Sequence, residues 1–328
     1  MKKFTLSKSV APAALCAGLC LTGGALQSQA QLTPGQKRQI NDFFGNRTEV
    51  GVVLGASDSA SSGSYTVDSP RSGQDDLEYS LLKFGGGGEF GQTRKFGNSD
   101  VTWNPVLMGN IGLISGDNKL TTGALKNNDV EDSALGVQVG GGMALHLTER
   151  FTITPTIGMI YGSYNVDWHV RNPAGRSVKK FIEDDAQTIG VTPGIGIAYR
   201  QPMGKNMWEF SAHYTYYGTT EVGDSRFTDV GGSSHVFEQR ADLDIPLNAS
   251  LWDCPLHTGG YVSLTETAGD ISDTMDSDYW ATIHGRILLN TEGKSWSWKM
   301  SRLGLGVSAI AGDHFTGWDA GVEVGFKF

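Results

Sequence analysis

The sequence predicts an all-β protein, a transmembrane antiparallel up-and-down β-barrel of about twelve strands with a short N-terminal helix or plug segment. Three observations carry this. First, Gly317 to Phe328 alternate with a period of two: Trp318, Ala320, Val322, Val324, Phe326 and Phe328 on one face, Asp319, Gly321, Glu323, Gly325 and Lys327 on the other. A long apolar edge strand invites aggregation in water, whereas lipid on one side and a wet interior on the other satisfy both faces. Second, Phe237, Ala241, Leu243 and Ile245 oppose Glu238, Arg240, Asp242 and Asp244. Four charges on one strand face cannot sit unpaired in a dry core, but a hydrated lumen holds them. Third, the links between strands alternate between long polar loops and shorter turns, the asymmetry of barrels that cross an outer membrane.

The N-terminus points to the same compartment. Lys2, Lys3 and Lys8 precede an apolar run from Val10 to Leu21, and Ser28-Gln29-Ala30 has the small residues that signal peptidase requires. Residues 1–30 read as a signal peptide cleaved after Ala30. The run is too short to span a bilayer as a helix, and Leu before Cys16 and Cys20 does not fit a lipoprotein signal. Cleavage removes three lysines and no acid, moving the net charge from −9 to −12. So acidic a chain is not built for nucleic acid. A hydrophobic fraction of 39% is low for a helical membrane bundle and ordinary for a barrel, where alternate strand residues face lipid. Only Cys254 remains after cleavage, so there is no intramolecular disulfide framework.

Along the chain, residues 31–47 come first as a periplasmic or lumenal segment. Thr33-Pro34 is a good helix start, and Ile40, Phe43 and Phe44 follow at helical spacing. The barrel occupies residues 48–328. Its expected strands are Val50–Ala56, Tyr79–Phe90, Val101–Ile114, Ala134–Leu147, Phe151–Tyr164, Thr188–Tyr199, Met207–Tyr217, His235–Leu247, Gly260–Thr267, Tyr279–Leu289, Arg302–Ala311 and Phe315–Phe328. Ser57–Glu78, Ser115–Ser133, Asn165–Gln187, Gly218–Ser234 and Ala268–Asp278 are the long links; Thr148–Arg150 and Arg200–Asn206 are short ones. Gly312–His314 and Asn248–Gly259 break the alternation. Pro105, Pro155, Pro193 and Pro246 fall inside strands, where each removes a ladder N–H. Pro193, at mid-strand, calls for a bulge. Trp103, Tyr199, Trp208, Tyr217, Trp280 and Trp318 near strand ends are expected in aromatic girdles.

The signal sequence, the short segment after it, the strand count and the terminal Phe328 together resemble the solitary autotransporter-like β-barrel domain family, translocator-type barrels without a passenger. The resemblance covers Val50–Phe328. It implies an outer-membrane location, contact with outer-membrane lipids and lipopolysaccharide, and a terminal strand read by the barrel assembly machinery through Val322, Val324, Phe326 and Phe328. It also places residues 31–44 where a pore-threading helix precedes the first strand.

Strand parity collects Glu209, His213, Glu238, Arg240, Asp242, Asp244, His284, Arg286, Asp319 and Glu323 in the lumen, with Lys83, Glu89 and Lys327. They read as a pore lining or as a cross-strand ladder of ion pairs that fills the barrel. Gly190, Gly194 and Gly196 either leave room for a helix or allow tight curvature. Asp313-His314 is an Asp–His pair in an external turn, of the type that activates water, but neither a G-x-S-x-G elbow nor another catalytic motif is recognisable. Asp270, Asp273, Asp276 and Asp278 form an acidic loop lacking the EF-hand pattern. Cys254 is expected in a periplasmic turn, open to pairing between molecules. The expected function is that of a structural or pore-forming surface barrel, with no metal and no cofactor. The alternatives are a barrel enzyme hydrolysing lipid or peptide, and a surface-binding protein acting through its loops.

Overall fold

The computed structural model describes residues 59–67, 77–119, 129–169, 185–222, 231–275, 277–294 and 300–326. In chain order these form β1 (Ser59–Val67), β2 (Leu77–Glu89), β3 (Arg94–Lys95), β4 (Thr102–Lys119), β5 (Asp129–His146), β6 (Phe151–His169) and β7 (Asp185–Met203). Then follow β8 (Asn206–Glu221), β9 (Ser233–Leu251), β10 (Cys254–Gly269), a helix α1 (Asp270–Met275), β11 (Tyr279–Asn290), β12 (Met300–Gly312) and β13 (Phe315–Phe326). Each long strand pairs antiparallel with its neighbours, β2 pairs directly with β4, and β1 pairs with both β2 and β13. Leaving out the two-residue β3, this is a closed twelve-strand barrel.

Eleven of the expected strands are present, most of them extended at one or both ends. The twelfth differs. The expected first strand, Val50–Ala56, lies outside the described residues, as do the signal segment and residues 31–47. The structure places β1 at Ser59–Val67, inside the expected long link Ser57–Glu78. This Ser-rich stretch carries little hydrophobic signal, and its place comes from pairing Ser59–Val67 with Glu323–Phe315.

The strand ends joined by connections 68–76, 120–128, 170–184, 222–232, 270–278 and 313–314 lie at one end of the barrel, the loop end. Connections 90–101, 147–150, 204–205, 252–253 and 291–299 lie at the other, the turn end. The expected long link Asn248–Gly259 is in fact a two-residue turn at Trp252-Asp253, with φ of 52° and 58°. Two left-handed central residues match the twist of a hairpin, so β9 and β10 run almost to the turn. The prolines cause little disturbance. Around Pro193 the β7–β8 ladder omits the rungs between Val191–Gly218 and Gly194–Thr215, with the register unchanged. The expected bulge is therefore absent there. A missing N–H removes local bonds without inserting a residue, so the strands do not slip. The one register shift on β9–β10 falls between Pro255 and His257, at Pro246.

The outer face shows where the membrane sits. On β7 the outward residues Ile189, Val191, Pro193, Ile195, Ile197 and Tyr199 form an unbroken apolar band, and Gln187 and Asp185 follow toward the loop end. On β6 exposed Ile157, Met159 and Tyr161 give way to Asn165, Asp167 and His169. A spanning strand needs about 9–11 residues, whereas β6 and β7 have 19 each. The turn-end half thus lies in lipid and the loop-end half projects beyond it. Leu305, Ile283 and Ile157 are 68%, 66% and 65% exposed, an arrangement that water would penalise.

Glycine has two distinct uses here. A Cβ on inward Gly190 would collide with the Gly218 carbonyl oxygen, whereas one on outward Gly285 would meet nothing within 4 Å. Gly190→Ala is expected to destabilise the barrel by about 1–3 kcal/mol through overpacking, and Gly285→Ala to leave it nearly unchanged. Urea unfolding followed by heat-modifiable gel mobility checks this, and equal midpoints for the two variants would refute it.

Candidate functional site

The lumen is the candidate site, and it is built in tiers. At the loop end it holds an apolar cluster, bordered by buried Asp132 and Thr188. Tyr65, Tyr79, Leu81, Ile114, Ile160, Tyr217, Trp280 and Ile310 point inward from β1, β2, β4, β6, β8, β11 and β12, with Val236 packed against them. α1 folds over this cluster and inserts Ile271, which is fully buried. The helix is pinned by polar contacts. Asp270 Oδ2 accepts from the Ser233 N–H at 2.6 Å, the Ile271 N–H donates to Ser234 Oγ at 3.1 Å, and Ser272 Oγ donates to Asp278 Oδ1 at 2.6 Å. Two of the expected acidic-loop aspartates therefore hold the lid down.

Below the apolar tier lies a continuous charged network. Lys83 Nζ donates to Asp319 Oδ2 at 3.0 Å, and both side chains are over nine-tenths buried. Asp319 also accepts from Ser308 Oγ at 3.2 Å and from the Tyr65 hydroxyl at 3.4 Å. His284 lies between Ser308 (Nδ1 to Oγ, 2.9 Å) and Glu323 (Nε2 to Oε1, 2.5 Å). Arg286 donates to Asp242 at 2.6 Å and faces Glu323 at 3.9 Å. Asp242 accepts from Arg240 as well, at 2.5 Å. Arg240 in turn covers the Tyr261 ring at 3.6 Å, and Tyr261 stacks on His284 with centroids 4.6 Å apart. The chain links β1, β2 and β9–β13. Opposite it the wall is neutral: Asn110 donates to Gln138, which donates to Thr192 at 2.8 Å. The glycines here do not open a groove. A Cβ on Gly194 would meet Thr156 Oγ1 at 2.8 Å, and one on Gly196 would meet His213 Cδ2 at 3.1 Å, so close packing between neighbouring strands explains them.

The turn end carries separate pairs. Asp244 meets His257 at 2.9 Å and Arg302 at 3.5 Å. Glu209 accepts from Arg200 at 2.6 Å. Glu89 contacts His146 at 2.9 Å and accepts from Asn104 at 2.5 Å. His213 and Glu238 stand opposite each other in the β8–β9 register and line a central cavity of about 160 Å³ with Lys83, Tyr261, Ser308 and Asp319.

Of the ten lumen residues expected from parity, Arg240, Asp242, His284, Arg286, Asp319 and Glu323 join the network. Glu209 and Asp244 form turn-end pairs, and His213 and Glu238 line the cavity. Lys327 lies outside the described residues. Parity also held the missed members, Ser308 and Tyr261, on the inward faces of β12 and β10, but neither carries charge. Tyr217 and Trp280 correct the girdle expectation: they are buried inside, because they share parity with Thr215 and His284. Trp318 (near the loop end), and Tyr199, Trp208 and Trp103 (near the turn end), do lie on outward strand faces. Cys254 is fully buried with Sγ 3.6 Å from the Trp252 carbonyl, which removes it from pairing between molecules. Asp313 accepts from the Tyr279 hydroxyl at 2.7 Å, so that carboxylate is engaged across the strand end. Val322 is exposed on the outer face of β13 and Val324 is half-buried; Phe328 lies outside the described residues.

An apolar outer band around a charge-filled lumen defines an outer-membrane β-barrel. The family described as the solitary outer membrane autotransporter β-barrel domain matches residues 92–320, and the chain belongs to it. The fold is similar to the transport unit of the autotransporter AIDA-I from Escherichia coli, at 12% identity and a TM-score of 0.55, covering 90% of this chain and 100% of that one. The translocator domain of NalP from Neisseria meningitidis follows at 10% identity and 0.49, covering 82% and 87%. The β domain of the Bordetella autotransporter BrkA has 13% identity and 0.48, covering 82% and 99%. No curated protein matches the chain.

Breaking a buried pair leaves an uncompensated charge and costs about 3–5 kcal/mol, whereas removing both partners is often nearly neutral. Lys83→Met is expected to lose that amount, and Lys83→Met with Asp319→Leu to recover most of it. Urea unfolding of the two variants measures this, and a double variant no more stable than the single one would contradict the pairing.

Proposed function

We propose that this barrel is a structural or pore-forming protein of the outer membrane whose lumen is shut at its loop end by its own side chains. The apolar tier under α1, with Ile271 fully buried, carries this reading. An open general pore keeps a hydrated path from end to end; here the charged tier ends at an apolar cluster under α1.

The remaining parts follow from that placement. Residues 1–30 direct export and are removed after Ala30. The assembly machinery reads Val322, Val324, Phe326 and Phe328 on the last strand, whose outer face is apolar. The turn end faces the periplasm, since the short connections lie there. The projecting loop end, with exposed Glu131, Asp167 and Asp185, meets the lipopolysaccharide layer and its divalent cations.

Planar-bilayer conductance tests the closure. The mature chain is expected to be silent, and Ile271→Asp to give a steady channel. A steady channel from the unaltered chain overturns the closed lumen, and silence of Ile271→Asp overturns the pore reading.

A further inference from the structure

The middle of the network has the geometry of a nucleophile, its base and the base's orienter. The three side chains come from three different strands, β12, β11 and β13, and meet in series: Ser308 Oγ to His284 Nδ1 at 2.9 Å, His284 Nε2 to Glu323 Oε1 at 2.5 Å. A hydroxyl in line with an imidazole that a carboxylate orients is the common arrangement for acyl transfer, recognised by geometry and not by sequence order. We propose that Ser308, His284 and Glu323 form a hydrolytic site in the barrel lumen for small carboxylic esters, a role beyond the structural or conducting one.

The surroundings fit the chemistry. In the tautomer that acts as base, Nε2 donates to Glu323 and Nδ1 is the acceptor. The Ser308 hydroxyl has one proton and two acceptors in reach: Asp319 Oδ1 at 3.2 Å, a carboxylate already held by Lys83, and His284 Nδ1 at 2.9 Å, to which it turns for attack. Lys83 Nζ and Ser308 Oγ bond to the two oxygens of that carboxylate and line the same cavity, so the ammonium is the cation available to stabilise negative charge on a tetrahedral oxyanion. Ser308, Lys83 and Tyr261 line the central cavity of about 160 Å³, which admits a short acyl group and excludes a folded protein. Tyr261, stacked on His284, fixes the plane of the base.

The reaction balances without a further reactant but water. Ser308 Oγ attacks the ester carbonyl as its proton passes to His284 Nδ1. The tetrahedral intermediate collapses, the C–O bond to the alcohol breaks, and the alcohol leaves with the proton from His284. Water then attacks the acyl-serine, giving its proton to His284, and the carboxylic acid departs as that proton returns to Ser308.

The test uses the full mature chain refolded in detergent micelles. A fluorophosphonate reporter is added, and tryptic mass spectrometry locates the adduct. The expected result is a single phosphonyl group on the peptide bearing Ser308, formed by heat-modifiable, folded protein and abolished by boiling first. p-Nitrophenyl acetate turnover should fall at least about tenfold in Ser308→Ala and in Glu323→Gln. Ser250→Ala, at an exposed serine of β9 outside the cavity, should leave turnover unchanged. Glu323→Asp should restore part of what Glu323→Gln loses. The adduct site on the unaltered protein needs no variant to fold. No adduct on the folded protein, an adduct elsewhere, or equal turnover in Ser308→Ala overturns the proposal.

Discussion

A polypeptide that crosses hydrocarbon must satisfy every backbone N–H and C=O within itself, because lipid offers no partner. The rest of this structure depends on that constraint. It explains why a Ser-rich stretch with little hydrophobic signal becomes β1: without Ser59–Val67 between β2 and β13 the sheet would keep two open edges. It also limits the damage that proline can do. Pro193 costs local rungs on one side, while on the other side β6 continues to pair through Ile157–Pro193. Closure then forces the inward faces of strands far apart in sequence to confront each other.

Once the ladder is closed, the inward side chains must settle their own charges. The charged wall on β9–β13 does this by sharing partners: Asp242 holds two arginines, and Asp319 holds a lysine and two hydroxyls. Sharing lowers the entropy cost of each added contact, since one side chain in every pair is already fixed. The opposite wall avoids the problem with glycine, threonine and amides. The two walls leave a narrow cavity where a serine, a histidine and a carboxylate lie in series. A packed network and a reactive one need the same preorganised hydrogen bonds, so structural filling and chemistry are compatible at this place.

The projecting half of the barrel obeys different rules. Beyond the lipid band the outer face is polar, and the interior turns largely apolar, with tyrosines, Trp280 and Ile271 beside one buried carboxylate, Asp132, that accepts from the Tyr164 hydroxyl. This half is built like a soluble β-barrel whose core is its lumen. α1 completes that core. Its short acidic sequence has only the appearance of a solvated loop, because one buried isoleucine among aspartates is a weak signal.

Much of the barrel is legible in the amino-acid order by itself. A strand's side chains alternate whatever surrounds it, so two-residue periodicity alone separates lipid-facing from lumen-facing residues and collects Arg240, Asp242, His284, Arg286, Asp319 and Glu323 on one side. The same rule holds for Tyr217 and Trp280, where nearness to strand ends is the poorer guide. Alternation is a local property, and a sequence determines it unaided. Which charge meets which, which end is sealed, where β1 lies and that Cys254 is buried are not local. They depend on curvature, register and closure, which bring residues over two hundred positions apart, such as Lys83 and Asp319, into one hydrogen bond, and only the tertiary structure decides them.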